Sequence, residues 1–306
     1  MNFTQLEYFN RICECGSISK AAEQLFITQS ALSQQLSRLE KELGVTLFNR
    51  YGNTLTITDS GKQFLESSRN ILFEYQNALD AVSETKESHK LILAVTKTKS
   101  FITLSYLLPG FMQKYPGIEI QVKEVDSYEV EELLNQGEAD LGFCSQSSDN
   151  NLIYHTIVNE RILLAIPPEH PLSLSKAQSS VLYPPVTFEE IASEPFIIGA
   201  GGYVREFTLE LFHTHNQPMH IAMETANPAF AHLLSAANVG LAFIGEISTW
   251  IAPQNIQSPL YCILEDPIEQ HYMRITLAHH KRKYVTSSMR LFIDYAQEFL
   301  RQKMMH

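Results

Sequence analysis

Along the first ninety residues the apolar positions keep a helical rhythm; beyond them they fall into short runs. Phe3, Leu6, Phe9 and Ile12 recur at helical spacing and predict an amphipathic helix over about residues 3–14. Gly16 suits the left-handed position that ends such a helix. Ser17 is then the natural N-cap of a second helix reaching Leu25, where Ala21 and Ala22 permit close approach of a neighbour. Thr28 caps a third helix, on which Leu32, Leu36, Leu39 and Leu43 share one face and Ser30, Ser33, Gln34 and Ser37 the other. After Gly44, Leu55 and Ile57 alternate with Thr54, Thr56 and Thr58, as in a strand pair turning at Gly52-Asn53. From Asp59 to about Ser88 a long helix is expected. Leu65, Ser68, Leu72, Tyr75, Leu79 and Val82 step along it by three and four, beside Phe64, Ile71 and Ala78, which gives a heptad stripe of about three repeats.

From LILAVTKTKS onward, strands alternate with helices. Strands are expected at Leu91–Val95, Ile118–Val125, Leu141–Cys144, Arg161–Ile166, Phe196–Ile198, Ile221–Glu224, Leu241–Ile244 and Ile275–Ala278. Helices are expected at about 100–114, 128–136, 204–215, 228–237 and 288–302. Such alternation argues for parallel sheets flanked by helices. The segment is too long for one small sheet, and proline pairs at Pro167-Pro168 and Pro184-Pro185 break it, so two α/β lobes with a cleft are expected.

The third helix carries the most specific chemistry. Its polar face holds short hydroxyls and amides where a merely solvated face would carry Lys and Glu. Gln can pair with adenine at two atoms, Ser reaches bases or phosphate, and free amides near Gln29 and Ser30 favour a phosphate oxygen. A surface helix that happens to be rich in Ser and Gln is the plain alternative. The strand pair behind it weighs against that, because it forms a wing beside a recognition helix, with Arg50 placed for phosphate or minor groove. Composition adjusts the picture only in part. The chain of 306 residues has a formal net charge of -11, which taken whole opposes nucleic acid. Residues 1–62, however, hold six basic and six acidic side chains, so that region is neutral. No apolar run is long enough to span a bilayer, and the start MNFTQLEYFN lacks a signal-peptide pattern, which predicts a cytoplasmic protein.

SISKAAEQLFITQSALSQQLSRLEKELGVTLFNR followed by LTITDSG resembles the N-terminal signature of LysR-type transcriptional regulators, without a gap over roughly 65 residues. YLLPGFMQKYPGIEI, LLNQGEADLGFC, ERILLAIPPEHPLS, EPFIIGAGG and LLSAANVGLAFIGE resemble that family's effector domain. The resemblance implies an α+β multi-domain chain: an N-terminal winged helix-turn-helix, a long linker helix, and a C-terminal two-lobed α/β domain like type 2 periplasmic binding proteins. Residues 1–58 would bind DNA, 59–88 would form a dimerising linker, and 89–306 would bind effector. Lobe one would comprise 91–162 and 267–306, and lobe two 163–266. The implied partners are double-stranded promoter DNA, a small-molecule effector for which an anionic group is chemically suited, RNA polymerase, and further copies in a homodimer or homotetramer; no membrane, metal or cofactor is expected. DNA contacts would come from Gln29, Ser30, Ser33 and Gln34, with Ser17, Thr28, Arg38 and Arg50 in support. The family often has Arg where Gln34 stands, and its wing usually carries Arg where this chain has Asn53 and Thr54. Fewer cations predict a shallow salt dependence of binding.

In two-lobed folds, ligands sit at strand ends against helix N-termini. The loop after the first strand offers Thr96, Thr98, Lys99 and Ser100, whose hydroxyls either bind an anion or merely cap. Against the family, this stretch is about four residues longer before its Leu-Leu-Pro phrase. The matching loop of lobe two offers Gly199, Gly201, Gly202 and Tyr203, and Phe143 and Asn227 would complete the wall; Arg205 faces either cleft or solvent. No catalytic triad, metal cluster or phosphate loop is recognisable, so an enzyme is not expected. His213, His215, His279 and His280 read as surface residues. Thiol sensing through Cys144 or Cys262 is an alternative, and an exported solute carrier a remote one.

Overall fold

The computed structural model describes residues 1–51, 54–83, 89–251, 257–265 and 272–304. Two compact units emerge. Unit 1 holds Met1–Glu87 with the short segments Asn135–Glu138 and Arg282–Thr286; unit 2 holds Ser88–Leu134, Ala139–Lys281 and Ser287–His306.

Unit 1 begins with three helices, α1 (Phe3–Cys15), α2 (Ile18–Gln24) and α3 (Gln29–Leu43). The antiparallel hairpin β1 (Phe48–Tyr51) and β2 (Thr54–Ile57) and the long α4 (Asp59–Ser83) follow. The expected turn Gly52-Asn53 lies outside the described residues. Asn2 and Gln5 form a capping box on α1, and Gly16 ends it at φ 58°. The Ser17 hydroxyl accepts from Lys20 N at 3.4 Å and that of Thr28 from Ala31 N at 3.2 Å, so each helix starts at its expected cap. Phe9, Ile12, Ala21, Ala22, Leu32, Leu36, Leu39, Leu47 and Phe48 form the core, with Phe64 and Leu65 of α4 against it.

That packing divides the heptad stripe. Its first turns serve the winged helix: Phe64 lies edge-on to Phe9 at 5.1 Å, and the buried Ser68 hydroxyl donates to Asn10 Oδ1 at 2.8 Å. Of the stripe, only Ile71, Tyr75, Ala78, Leu79 and Val82 remain exposed, with Phe3 stacked on Tyr75 at 4.0 Å. A further face of α4, unmarked by the heptad, binds the two short segments of unit 1. Buried Phe73 lies under Gly137, Asn77 donates to Arg282 O at 2.9 Å and accepts from Tyr284 N at 3.1 Å, and Lys283 pairs with Asp80 at 3.0 Å.

Unit 2 opens with β3 (His89–Thr96), a single turn α5 (Lys97–Lys99), a π-helical turn Ser100–Leu104 and α6 (Ser105–Lys114). Then come β4 (Ile118–Val125), α7 (Ser127–Asn135), β5 (Leu141–Cys144) and the fifteen-residue β6 (Leu152–Ile166). The chain continues through α8 (Pro171–Lys176), β7 (Pro185–Val186), α9 (Phe188–Ile191), β8 (Pro195–Gly199), α10 (Tyr203–Thr214), β9 (His220–Thr225) and α11 (Pro228–Ala236). It closes with β10 (Ala242–Gly245), a 3-10 turn Glu246–Trp250, β11 (Leu260–Leu264), β12 (Tyr272–His280) and α12 (Ser287–Met304).

The strands correct the expectation of purely parallel sheets. β3 pairs parallel with β4 and β5, and β8 with β9, but β12 runs antiparallel to both β5 and β6. One hydrogen-bonded path runs β4-β3-β5-β12-β6-β11-β7, with β10 also on β6. β6 makes this possible. Its residues 152–161 pair with β12, and 162–166 lie between β10 and β11. The strand reaches nine residues further upstream than the expected Arg161–Ile166, because its first part is polar and half-covered.

Two cores cover the sheet of the second half: one of Phe188, Phe196, Phe207, Phe212 and Phe243 with aliphatic neighbours, the other of Ala165, Ile197, Ala231, Ala242 and Ile244. His279 and His280 are buried, and His215 is half-buried and stacked on Phe188 at 3.9 Å. This corrects their expected surface placement. From Ile275 to His280 every side chain of β12 is buried, on both faces of the sheet.

Candidate nucleic-acid interface and effector cleft

α3 buries Leu32, Leu36 and Leu39 and leaves Gln29, Ser30, Gln34, Ser37 and Arg38 exposed, with Ser33 half-buried at the edge. The Thr28 hydroxyl caps α3 and lies 3.1 Å from that of Ser30, while Ser17 caps α2. The side chain of Arg50 lies outside the described residues.

Glu40, Thr58 and Gly61 fix the hairpin to α3 and to the start of α4. Glu40 Oε1 accepts from Leu47 N at 2.7 Å and Phe48 N at 3.3 Å. Thr58 Oγ1 donates to Thr46 O at 2.8 Å and accepts from Gly61 N at 2.9 Å, capping α4. A Cβ on Gly61 would meet Leu47 O at 2.3 Å, so only glycine fits. The phrase TDSG carried a signal for this, a hydroxyl three residues before the N–H it caps.

In unit 2 a cavity of about 820 Å³ opens between the two halves of the sheet. Ser145 and Gln146 follow β5, Asn159 is on β6, Tyr272, Met273 and Arg274 start β12, and Gly202, Tyr203 and Glu206 begin α10. Gly202 has φ 84° and no capping side chain, so the first amides of α10 open toward the cavity.

Of the ten residues expected at the cleft, Gly202 and Tyr203 line this cavity; Gly201 is exposed beside them. The carbonyl of Gly199 accepts from Arg205, which also pairs with Glu224 at 2.6 Å, stays partly exposed and does not line the cavity. Asn227 Oδ1 caps α11, accepting from Ala229 N at 3.0 Å. Thr96 caps α5 through Lys99 N at 3.3 Å.

Phe143 is a correction. It is fully buried, edge-on to Phe292 at 6.4 Å, because β5 is an interior strand covered on both faces; its successors Ser145 and Gln146 reach the cavity instead. Ser100 is a second correction. It lines a separate groove of about 630 Å³ with Phe101, Leu104 and Met112. The π turn widens the helix by one residue there and rotates the following side chains out of the α-helical phase. The side chain of Thr98 lies outside the described residues.

Behind the cavity wall lies a charged cluster. Glu160 is buried and accepts from Ile247 N at 3.1 Å. Burial pushes its carboxyl up to about 7, against the pull of the Ile247 N–H and of Lys99. Burial likewise lowers the Lys99 ammonium, with Cys144 and Glu160 opposing. Glu246, also buried, accepts from Arg161 N at 3.3 Å and pairs with its guanidinium at 3.5 Å. Burial raises the thiols of Cys13, Cys144 and Cys262 to about 12, the reverse of an activated thiolate. Among the described residues no cluster has the composition of a metal site, and no helix is long and apolar enough to cross a membrane.

Residues 3–62 match the bacterial regulatory helix-turn-helix of the lysR family, and residues 84–301 match the LysR substrate binding domain. A Bacillus subtilis HTH-type transcriptional regulator, YybE, is 30% identical over 81% of this chain and 83% of its own. The transcriptional activator CmpR of a Synechocystis species is 28% identical over 95% of this chain and 93% of its own. Among solved structures, a full-length OxyR variant from Pseudomonas aeruginosa shares the fold at TM-score 0.72 and 18% identity, covering 97% of this chain and 95% of that one. CbnR in complex with its target DNA does so at TM-score 0.61 and 21% identity, covering 97% and 99%. The chain therefore belongs to the LysR-type family of DNA-binding transcriptional regulators, with a helix-turn-helix followed by an effector-binding domain.

Proposed function

We propose that this regulator reads promoter DNA with the exposed face of α3 and answers to a small effector held in the 820 Å³ cavity. The observation that carries the first half is the division of α3, apolar and buried along Leu32, Leu36 and Leu39, amide and hydroxyl along Gln29, Ser30, Ser33, Gln34 and Ser37. Gln29, Ser30, Ser33 and Gln34 meet base edges and phosphate, Arg38 and Arg50 meet phosphate, and Ser17 and Thr28 hold the helix ends in place. Residues 1–58, 59–88 and 89–306 are the corresponding DNA-binding, linker and effector segments. The exposed stripe Ile71, Tyr75, Leu79 and Val82 supports pairing of two chains through α4, which presents two recognition helices to two half-sites. Assembly of dimers into tetramers, contact with RNA polymerase and a cytoplasmic location complete the reading.

The effector half is supported by the uncapped start of α10 and Arg274 at the cavity wall, a setting suited to an anionic group. Its binding shifts the two halves of unit 2 and so the spacing of paired winged helices. Thr96, Lys99 and Gly199 act behind that wall rather than on it.

Ser33→Ala and Gln29→Ala are expected to weaken specific over nonspecific DNA binding in a competition titration. Equal loss on both kinds of DNA would sink the assignment. A thermal-shift screen of organic acids, amino acids and aromatics tests the cavity. A ligand at a hundred times its Kd adds about 2.7 kcal/mol.

A further inference from the structure

Between α2 and α3 the chain does something costly. Phe26 adopts φ 55°, and its side chain is 95% exposed. Its N–H donates to Glu23 O at 3.1 Å and that of Ile27 to Ala22 O at 3.0 Å, so the turn is fixed with Phe26 at its left-handed position. Left-handed backbone crowds a Cβ and is tolerated best by glycine and asparagine. The other non-glycine residues with positive φ among the described residues, Asn216 and Asn238, are both asparagines. Leu25 and Ile27 on either side pack into the core, while the ring between them stands clear of the other described residues.

Among the described residues nothing compensates the strained backbone and the exposed phenyl ring, which points to a partner. The place identifies it. Phe26 stands two residues before Thr28, the cap of α3, and at about 3.8 Å per residue its Cα lies within roughly 11 Å of Gln29. Just beyond Ile27 stand Thr28, Gln29 and Ser30, the exposed groups that open the DNA-reading face. A helix that enters the major groove brings the turn before it to the sugar-phosphate edge. In a region with balanced charge, an apolar contact supplies affinity that cations do not.

We propose that Phe26 is a DNA-contact residue, its ring laid on deoxyribose C–H groups at the edge of the groove that α3 enters. This rests on the reading of α3 given above.

The test uses the full-length chain and a duplex enriched by it from a random-sequence pool. Phe26→Ala keeps the left-handed strain and removes the ring. It should weaken Kd about tenfold, the effect of leaving roughly half a phenyl ring in water. Its melting temperature should stay at the wild-type value. Because no cation is lost, the slope of log Kd against log salt should not change. Phe26→Asn should melt higher, since strain is relieved, and still bind weakly; Phe26→Leu should recover part of the affinity. A Phe26→Ala protein within twofold of wild-type Kd, or one with a shallower salt slope, overturns the proposal. So does unchanged Kd with reduced transcription by added polymerase, which would assign the ring to a protein partner. Gln29→Ala in the same titration separates the two readings. If it keeps its specificity while Phe26→Ala weakens binding, the reading of α3 fails and the Phe26 contact stands. If Gln29→Ala loses specificity while Phe26→Ala binds as wild type, α3 reads DNA and the Phe26 contact falls.

Discussion

Replacing Glu160 with glutamine should remove a pH dependence that the fold builds into unit 2. The carboxyl is buried, accepts one backbone N–H, and is raised to about 7 from an ordinary value of 4.5. A carboxyl raised in the folded state stabilises below its unfolded value and loses that contribution as pH rises through the folded value. Between pH 6 and pH 8 a shift of this size withdraws about 1.3 kcal/mol. Histidines act in the opposite sense: burial lowers His232 to about 4, so its contribution is present above pH 6.5 and is lost as pH falls toward 4. The wild-type slope alone is therefore a sum, and the difference between wild type and Glu160→Gln isolates the carboxyl. The readout is already in place. The chain's single tryptophan, Trp250, ends the turn that contains Ile247, and its ring lies edge-on to Tyr106 at 5.5 Å. Urea unfolding followed by Trp250 fluorescence at pH 6, 7 and 8 should show wild type losing about 1.3 kcal/mol more than Glu160→Gln. Identical pH slopes in the two proteins would mean that Glu160 is ionised throughout, and the account of the charged cluster would fail.

Three further perturbations test other parts of the structure. Asp80→Asn removes the carboxylate 3.0 Å from the buried Lys283 ammonium and should destabilise unit 1 by about 3 kcal/mol, while Asp80→Leu with Lys283→Met should recover most of that in denaturant melts. Gly61→Ala drives a Cβ into Leu47 O; the start of α4 and the hairpin must part, and a loss of about 2 kcal/mol or more is expected with DNA affinity falling alongside. Gly202→Ala places a side chain at φ 84° and should lower stability by about 1 kcal/mol; a protein that melts as wild type would show that the turn before α10 relaxes freely.

α1 and α3 are legible in the sequence because each ends at a left-handed glycine and buries a single apolar face, and Ser17 and Thr28 mark the starts of α2 and α3. What the pattern leaves out there is polar and specific: Glu40 and Thr58 act through backbone N–H and C=O groups of the hairpin, and one side chain bonding to a distant backbone leaves no periodicity. In unit 2 the eight expected strands lie within or overlap observed ones. The first part of β6, LIYHTIVNE, carries no clear strand signal because Tyr154, His155, Thr156 and Asn159 interrupt alternation along a strand that is only partly covered. β11, LYCIL, is too short to separate from a loop by pattern. At Phe143 the cleft wall starts later than expected, since sequence marks the end of an apolar run but not which neighbour turns outward. Ser100 departs from expectation for another reason: a π turn breaks the helical phase on which such placement depends.

β6 also limits how the regulator can respond. A single continuous strand belongs to both halves of the sheet, hydrogen-bonded to β12 up to Arg161 and to β10 from Ile162 onward. Wide opening would have to tear ladder bonds on both sides of that junction, whereas twisting the strand would not. The strand is thus one beam shared by both halves of the sheet. Alternation along it is equally unforgiving. Asn159 faces the cavity and Glu160 the interior, so a one-residue deletion upstream would exchange them, turning a carboxylate into the binding wall and an amide into the core.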